Sequence, residues 1–429
     1  MKVSLNRTAC AAALLAAGTL TGALAGTAAR ADEMHIGFPV FLSTAAAGAF
    51  GEPEKRAAEL LVEELNAGHV PAPYAATGIN GRTLKATFID EAADAVSEYR
   101  NLVERTGVDA VIGYTSSANC KAVAELAEEL ETPTVLVDCG TPQIFEELVT
   151  EPVYLFRTGP TGTMDSVGAA RYFKDIGVDL GKVAGINQNY AFGQDAWRDF
   201  TGAIKALDPK AGIVSEQFPK VYAGQYGAEV SALMTASPSA VFTSFWGGDL
   251  EAFILQSAPR GLFSRAPVLM TCGEAAIGRL AKDIPEGAIL GARGPYGYFA
   301  PEGDLATWFR DAYEKKFGEV PPYPAWKMAQ AVLGLKAAWE KAGEGADKEA
   351  AVAAFKGLEF DSPAGPVKMA IGAGHQAIQS ISYGKFARDA AGKPGVTEVV
   401  TYAAECVNPP ADMLAADWIA KGFPGAKCD

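Results

Sequence analysis

Histidine is scarce in this chain: three residues in 429, at positions 35, 69 and 375, scattered far apart. That scarcity argues against a serine or cysteine triad, which needs an imidazole placed to activate its nucleophile. Ser117 and Cys272 are the best candidate nucleophiles, yet neither sits in a G-x-S-x-G turn. No Cys-x-x-Cys occurs, so neither a structural nor a catalytic metal site is expected, and no cofactor. No G-x-G-x-x-G follows a strand, which removes the dinucleotide fingerprint. Beyond the first 31 residues no run is long and apolar enough to cross a bilayer. Positive charge is in deficit, with 37 basic against 51 acidic residues. Such a balance disfavours nucleic acid and anionic membranes as partners.

What is present fits a large globular chain. Hydrophobic content is 49% and charged content 21%, and the length exceeds one ordinary core, so two domains are expected. Residues 1–31 read as a signal peptide. Lys2 and Arg7 give a positive start, Ala9 to Leu24 is small and apolar, and Ala29-Arg30-Ala31 places cleavage before Asp32. The mature chain is therefore expected to be exported. Five cysteines follow the leader. Export permits disulfides. The tail, from roughly Phe360, reads as strands and turns; Cys406 and Cys428 share it and are the best pair. Cys120 and Cys139 lie near the ends of neighbouring predicted strands and could form a second, leaving Cys272 over.

The stretch Val108–Thr141 organises the rest. A β-branched run, Val108–Ile112, ends at Gly113 as a buried parallel strand. A polar turn, Tyr114–Asn119, leads into a helix whose apolar face carries Val123, Leu126 and Leu130. Pro133 closes it. A second buried strand, Thr134–Val137, runs into Asp138-Cys139-Gly140-Thr141. In such a sheet the crevice lies beyond the carboxyl ends of the strands, so two polar turns reach it together. The first stands on a helix N-terminus, whose free N–H groups and dipole suit a small anion such as a carboxylate. Ser116, Ser117 and Asn119 serve equally as caps of that helix.

The alternation of strand and helix continues on both sides. Before it come a strand at Met34–Val40, a loop ending at Phe50, a helix over Pro53–Asn66, a strand at Leu84–Ile89 and a helix over Ala92–Thr106. After the strand around Arg157 a second series begins. Its strand ends deliver Tyr190, Trp246 and Glu274. The pattern predicts an α/β chain of two lobes, each a mostly parallel sheet with helices on both faces. Crossings near Arg157 and Arg293 imply a multi-strand hinge. The first lobe is read as 32–158 and 293–375, the second as 159–292 and 376–429. Two lobes around a cleft close on a guest by hinge motion.

These residues and their order resemble the substrate-binding proteins of ABC importers, in the leucine/isoleucine/valine-binding family. The resemblance covers essentially the whole mature chain. It rests on the Ser-rich turn after Ile112-Gly113, the run to Thr141, Tyr154-Leu155-Phe156-Arg157-Thr158, Asn189-Tyr190 before Gly193, and Gly273-Glu274. It implies the type I periplasmic-binding-protein fold, a periplasmic location, an importer permease as partner and no enzymatic activity. It assigns a ligand carboxylate to Ser117, Cys139 and Thr141, with Ser116 beside them. It assigns an ammonium to Glu274 and Trp246, a closing tyrosine to Tyr190 and a first-loop aromatic to Phe50. The chain departs from the family's pattern at Ser116, where a cysteine is expected, at Phe245-Trp246, at Thr271-Cys272, and at Asp249, a further acid near the ammonium end. The implied guest is a small carboxylate: a branched-chain or aromatic amino acid, or a non-amino aromatic or organic acid. A ligand sensor on the same scaffold, feeding a signalling partner, is the alternative role.

Overall fold

The computed structural model describes residues 33–428; the expected signal peptide lies outside the described residues. Two sheets organise the chain. In the first, strands β1 (Glu33–Val40), β2 (Thr83–Asp90), β3 (Ala110–Gly113), β4 (Thr134–Leu136) and β5 (Leu155–Arg157) are all parallel. In the second, β6 (Val183–Ile186), β7 (Ile213–Gln217), β8 (Ala240–Thr243), β9 (Val268–Met270) and β10 (Ile289–Gly291) are likewise parallel. Many of these strands are short apolar runs, buried throughout, as strands covered on both faces must be.

The chain then returns to each sheet in turn. Strands β11 (Glu359–Ser362), β12 (Gly365–Ile371) and β13 (Gln376–Ile378) extend the first sheet, giving the order β11-β12-β13-β5-β4-β3-β1-β2. Strands β14 (Ile381–Arg388) and β15 (Pro394–Tyr402) complete the second as β15-β14-β10-β9-β8-β6-β7. The α/β two-lobe architecture is as expected. The chain passes between the sheets three times, after β5, after β10 and after β13.

Two local readings are corrected. The expected return to the second lobe at residue 376 falls before β13, which pairs in parallel with β5 through Gln376 and Arg157; the chain leaves the first sheet only after Ile378. Three residues are too few to show a period in sequence. The tail was expected to hold only strands and turns, but it also forms a helix at Ala415–Ala420 that packs on the helix Ala191–Leu207.

Topology sets the position of the cleft. In the first sheet the chain order reverses at β1, flanked by β3 and β2; in the second it reverses at β6, flanked by β8 and β7. Ligand crevices form beyond the carboxyl ends of strands at such points. The turns after β3 and β4 and those after β6, β8 and β9 carry the residues singled out in the sequence.

Candidate functional site

The first-lobe wall is built on the helix Ser117–Glu129. The two N–H groups just ahead of its first turn are already taken: the Glu91 carboxylate accepts from Thr115 N at 2.9 and 3.0 Å and from Ser116 N at 2.7 Å. Asn119 Nδ2 adds a bond to the same carboxylate at 3.1 Å. Thr115 Oγ1 donates to Glu54 at 2.8 Å. The protein's own acid thus stands at this helix end, where the dipole favours negative charge. Burial pushes Glu91 up to about 7, and burial with Glu91 alongside raises Glu54 further.

Ser117 faces the other way. Its hydroxyl oxygen accepts from Gly140 N at 3.1 Å and Thr141 N at 3.2 Å. That ties the two polar turns together and leaves the hydroxyl proton to donate. Ser116 acts as the helix cap, accepting from Ala118 N at 3.3 Å.

Across the gap stand aromatic side chains of the second lobe. Trp246 donates from Nε1 to the Tyr190 hydroxyl at 2.7 Å. Phe50 meets Trp246 edge-on, ring centres 5.1 Å apart, and meets Tyr323 at 5.4 Å. Phe192 lies under the Arg293 guanidinium at 4.7 Å. Together Phe50, Ser117, Tyr190, Phe192, Trp246, Cys272, Arg293 and Tyr323 line a narrow cavity of about 10 Å³, along with Thr115, Asp138 and Gly140. Four expected residues, Phe50, Ser117, Tyr190 and Trp246, are therefore brought to one gap between the lobes.

The charges of this gap were not anticipated. Arg293 donates from Nε to Asp165 at 2.7 Å and from Nη1 to the Asp138 carbonyl at 2.8 Å, and it pairs with the Asp138 carboxylate as well. Lys327, fully buried, pairs with the same carboxylate oxygen of Asp138. Arg293 thus bridges Asp138 of the first lobe and Asp165 of the second. Its backbone is left-handed, φ 51°, an unfavourable conformation for an arginine that persists only where surroundings over-determine it. Burial and the neighbouring Arg293 push Lys327 down to about 8. Nothing local in sequence links Lys327 to Asp138, 189 positions away.

Four expected ligand residues have other partners. Cys139 is bonded to Cys120, so its sulfur is unavailable. The Thr141 hydroxyl donates across the cleft to Asp195 at 2.6 Å. Asp249 accepts from Gln188 Nε2 and from Tyr222 N, each at 2.7 Å. Glu274 is buried and accepts from Tyr323 N at 2.8 Å and Tyr298 N at 3.2 Å; burial pushes it up to about 8. It braces two first-lobe segments, because a buried carboxylate needs fixed donors and these N–H groups supply them. The tail pairing is found as expected, Cys406 with Cys428, and Cys272 is a free buried thiol. Among the described residues no group of three His, Cys, Asp or Glu side chains is placed to hold a metal ion.

Comparison with known proteins follows this geometry. The model of the periplasmic binding protein family matches residues 33–391. A Leu/Ile/Val-binding protein homolog 4 of Brucella melitensis is 27% identical over 225 residues, 50% of this chain and 51% of that protein. The chain thus spans about half the length of the curated relatives it matches. Among solved structures, a solute binding protein of an ABC transporter from Rhodopseudomonas palustris, in complex with 3,4-dihydroxybenzoic acid, superposes with TM-score 0.76. Identity is 23%, covering 89% of this chain and 100% of that one. A leucine-, isoleucine-, valine-, threonine- and alanine-binding protein from Brucella ovis, in a closed conformation, gives TM-score 0.71 at 18% identity, covering 89% and 98%. At these identities both bear on the fold.

Proposed function

Because the chain belongs to the periplasmic binding protein family, we propose that it captures a small aromatic carboxylate between its lobes and delivers it to an ABC importer. One observation carries the choice of guest. The cavity is walled by Phe50, Tyr190, Phe192, Trp246 and Tyr323, while Glu274, the acid expected to meet an ammonium, is turned to backbone N–H groups instead. Aromatic contacts of this kind are each worth about 0.5–1.5 kcal/mol beyond area burial.

The carboxylate end takes the Ser117 hydroxyl proton and a donor of Arg293. The second terminal nitrogen of Arg293 makes only one long bond, to Pro160 O at 3.3 Å. A charged guanidinium donor is roughly twice as strong as a neutral one. The cavity, about 10 Å³, is far below the usual range of about 300–1,000 Å³ for ligand sites. A guest therefore enters only when the lobes part. The three crossings allow that motion. The two disulfides support folding in an oxidising compartment such as the periplasm.

A second reading rests on Asp138. Its Oδ2 is buried with no hydrogen-bond partner among the described residues, and an amino-acid ammonium would satisfy it. Thermal-shift and calorimetric titration with benzoate, 4-hydroxybenzoate, leucine and valine separate the two. Aromatic acids are expected to bind and stabilise, and the aliphatic amino acids to leave the melting temperature unchanged. Stabilisation by leucine or valine with no response to either aromatic acid rejects the aromatic reading in favour of the second. No response to any small carboxylate rejects both.

A further inference from the structure

Behind the cleft, on the far side of the Cys139–Thr141 turn, lies a second cavity of about 250 Å³. Its walls are the segment around Phe145, the hairpin around Gly372, and the tail through Met413 and Leu414. Arg157, at the end of β5, reaches it. This arginine is buried, and its direct partners are all neutral. Nε donates to the Gln376 side chain, and Nη1 donates to the carbonyls of Cys139 and Thr141, both at 2.7 Å. Nη2 has no hydrogen bond within the described protein. A guanidinium out of water with no paired carboxylate is costly. Glu146 faces the same cavity, but its Oε1 is engaged by Ala415 N at 2.9 Å rather than by Arg157.

The geometry points to a rear anion site in which a small anion sits against Arg157 Nη2, beside the Thr161 and Thr150 hydroxyls. The anion adds a direct partner at Nη2, since Glu146 and Asp138 act on the guanidinium only through space and Asp412 stands elsewhere on the same wall. It also bears on the main cleft, because the same guanidinium holds the two carbonyls of the turn that Ser117 grips from the other side. A halide and an organic carboxylate share the required chemistry. The apolar lining by Phe145, Met413 and Leu414 leaves room for the body of the latter. The site does not depend on which solute the front cleft takes.

Crystals of the unaltered protein grown with sodium bromide provide the direct test. An anomalous peak beside Arg157 Nη2 is expected; a water or empty density there overturns the site. In solution, the melting temperature is followed at fixed ionic strength as an inert bulky anion is exchanged for bromide or acetate. A rise of a few degrees is expected, with bromide alone marking an inorganic site and acetate an organic one. Arg157→Met should abolish the bromide and acetate response. Should that variant not fold, Phe145→Trp fills the cavity while keeping the arginine, and should abolish it too. A response that survives Phe145→Trp overturns the proposal.

Discussion

Glu274 and Ser117 illustrate what single residues decide. Unfolded, the Glu274 carboxyl loses its proton near 4.5; folded, it keeps it to about 8. Between those values the folded state binds more protons, so stability falls as pH rises through the window. Glu274→Gln should flatten that slope, read as melting temperature at pH 5 and pH 8 in both proteins. It should also leave solute affinity unchanged within about twofold, which calorimetry checks; a large loss would return Glu274 to the ligand. Ser117→Ala leaves the buried Gly140 and Thr141 N–H groups without an acceptor. A cost of about 1–3 kcal/mol in stability is expected, read by denaturant unfolding. Tyr190 and Trp246 could be placed from sequence because each follows a predicted strand, Ser117 because it lies in the polar turn after one, and Phe50 from the loop it ends together with the family resemblance. Arg293, Lys327 and Asp138 could not, since pair formation between buried charges is decided by packing over a long span of chain. Glu274 and Thr141 mislead for a related reason: sequence gives the position of a polar group but not which donors or acceptors reach it first.

At the scale of elements, the helix Ser117–Glu129 is the instructive case. Its dipole attracts an anion, and the fold supplies one from the end of β2 in Glu91. Strand and helix order was legible from hydrophobic period as far as β10; the individual strands after it, β13 at three residues among them, were not. The same helix is stapled to the turn after β4 by Cys120–Cys139, 19 positions apart in the chain. Replacing both by alanine should cost about 3 kcal/mol by loop-closure entropy, measured by denaturant unfolding. At the cleft mouth, Gly248 N donates to Ala45 O at 2.9 Å, joining the lobes. A Cβ at Gly248 would lie 2.7 Å from that of Ala45 and 2.9 Å from its carbonyl oxygen. Gly248→Val should therefore oppose closure by about 1–3 kcal/mol, weakening solute affinity roughly tenfold while leaving the fold intact by circular dichroism.

Taken whole, the molecule is two sheets joined by three strands of chain, with Arg293 linking acids of both lobes. Solute binding should shrink the radius of gyration in small-angle scattering, and Gly248→Val should blunt that change. Two lobes and a hinge followed from the double series of strands and from the breaks near Arg157 and Arg293. The exact return point after β13 did not, because the boundary is fixed by pairing with a partner strand far away in the chain.

Cys272 gives this motion its own clock. It is the free thiol among the described residues, it lines the gap, and burial pushes it up to about 11. A maleimide can reach it only while the jaws are apart. The rate of its alkylation in otherwise untouched protein therefore counts openings, and each solute that holds the jaws shut should slow that count in proportion to its occupancy.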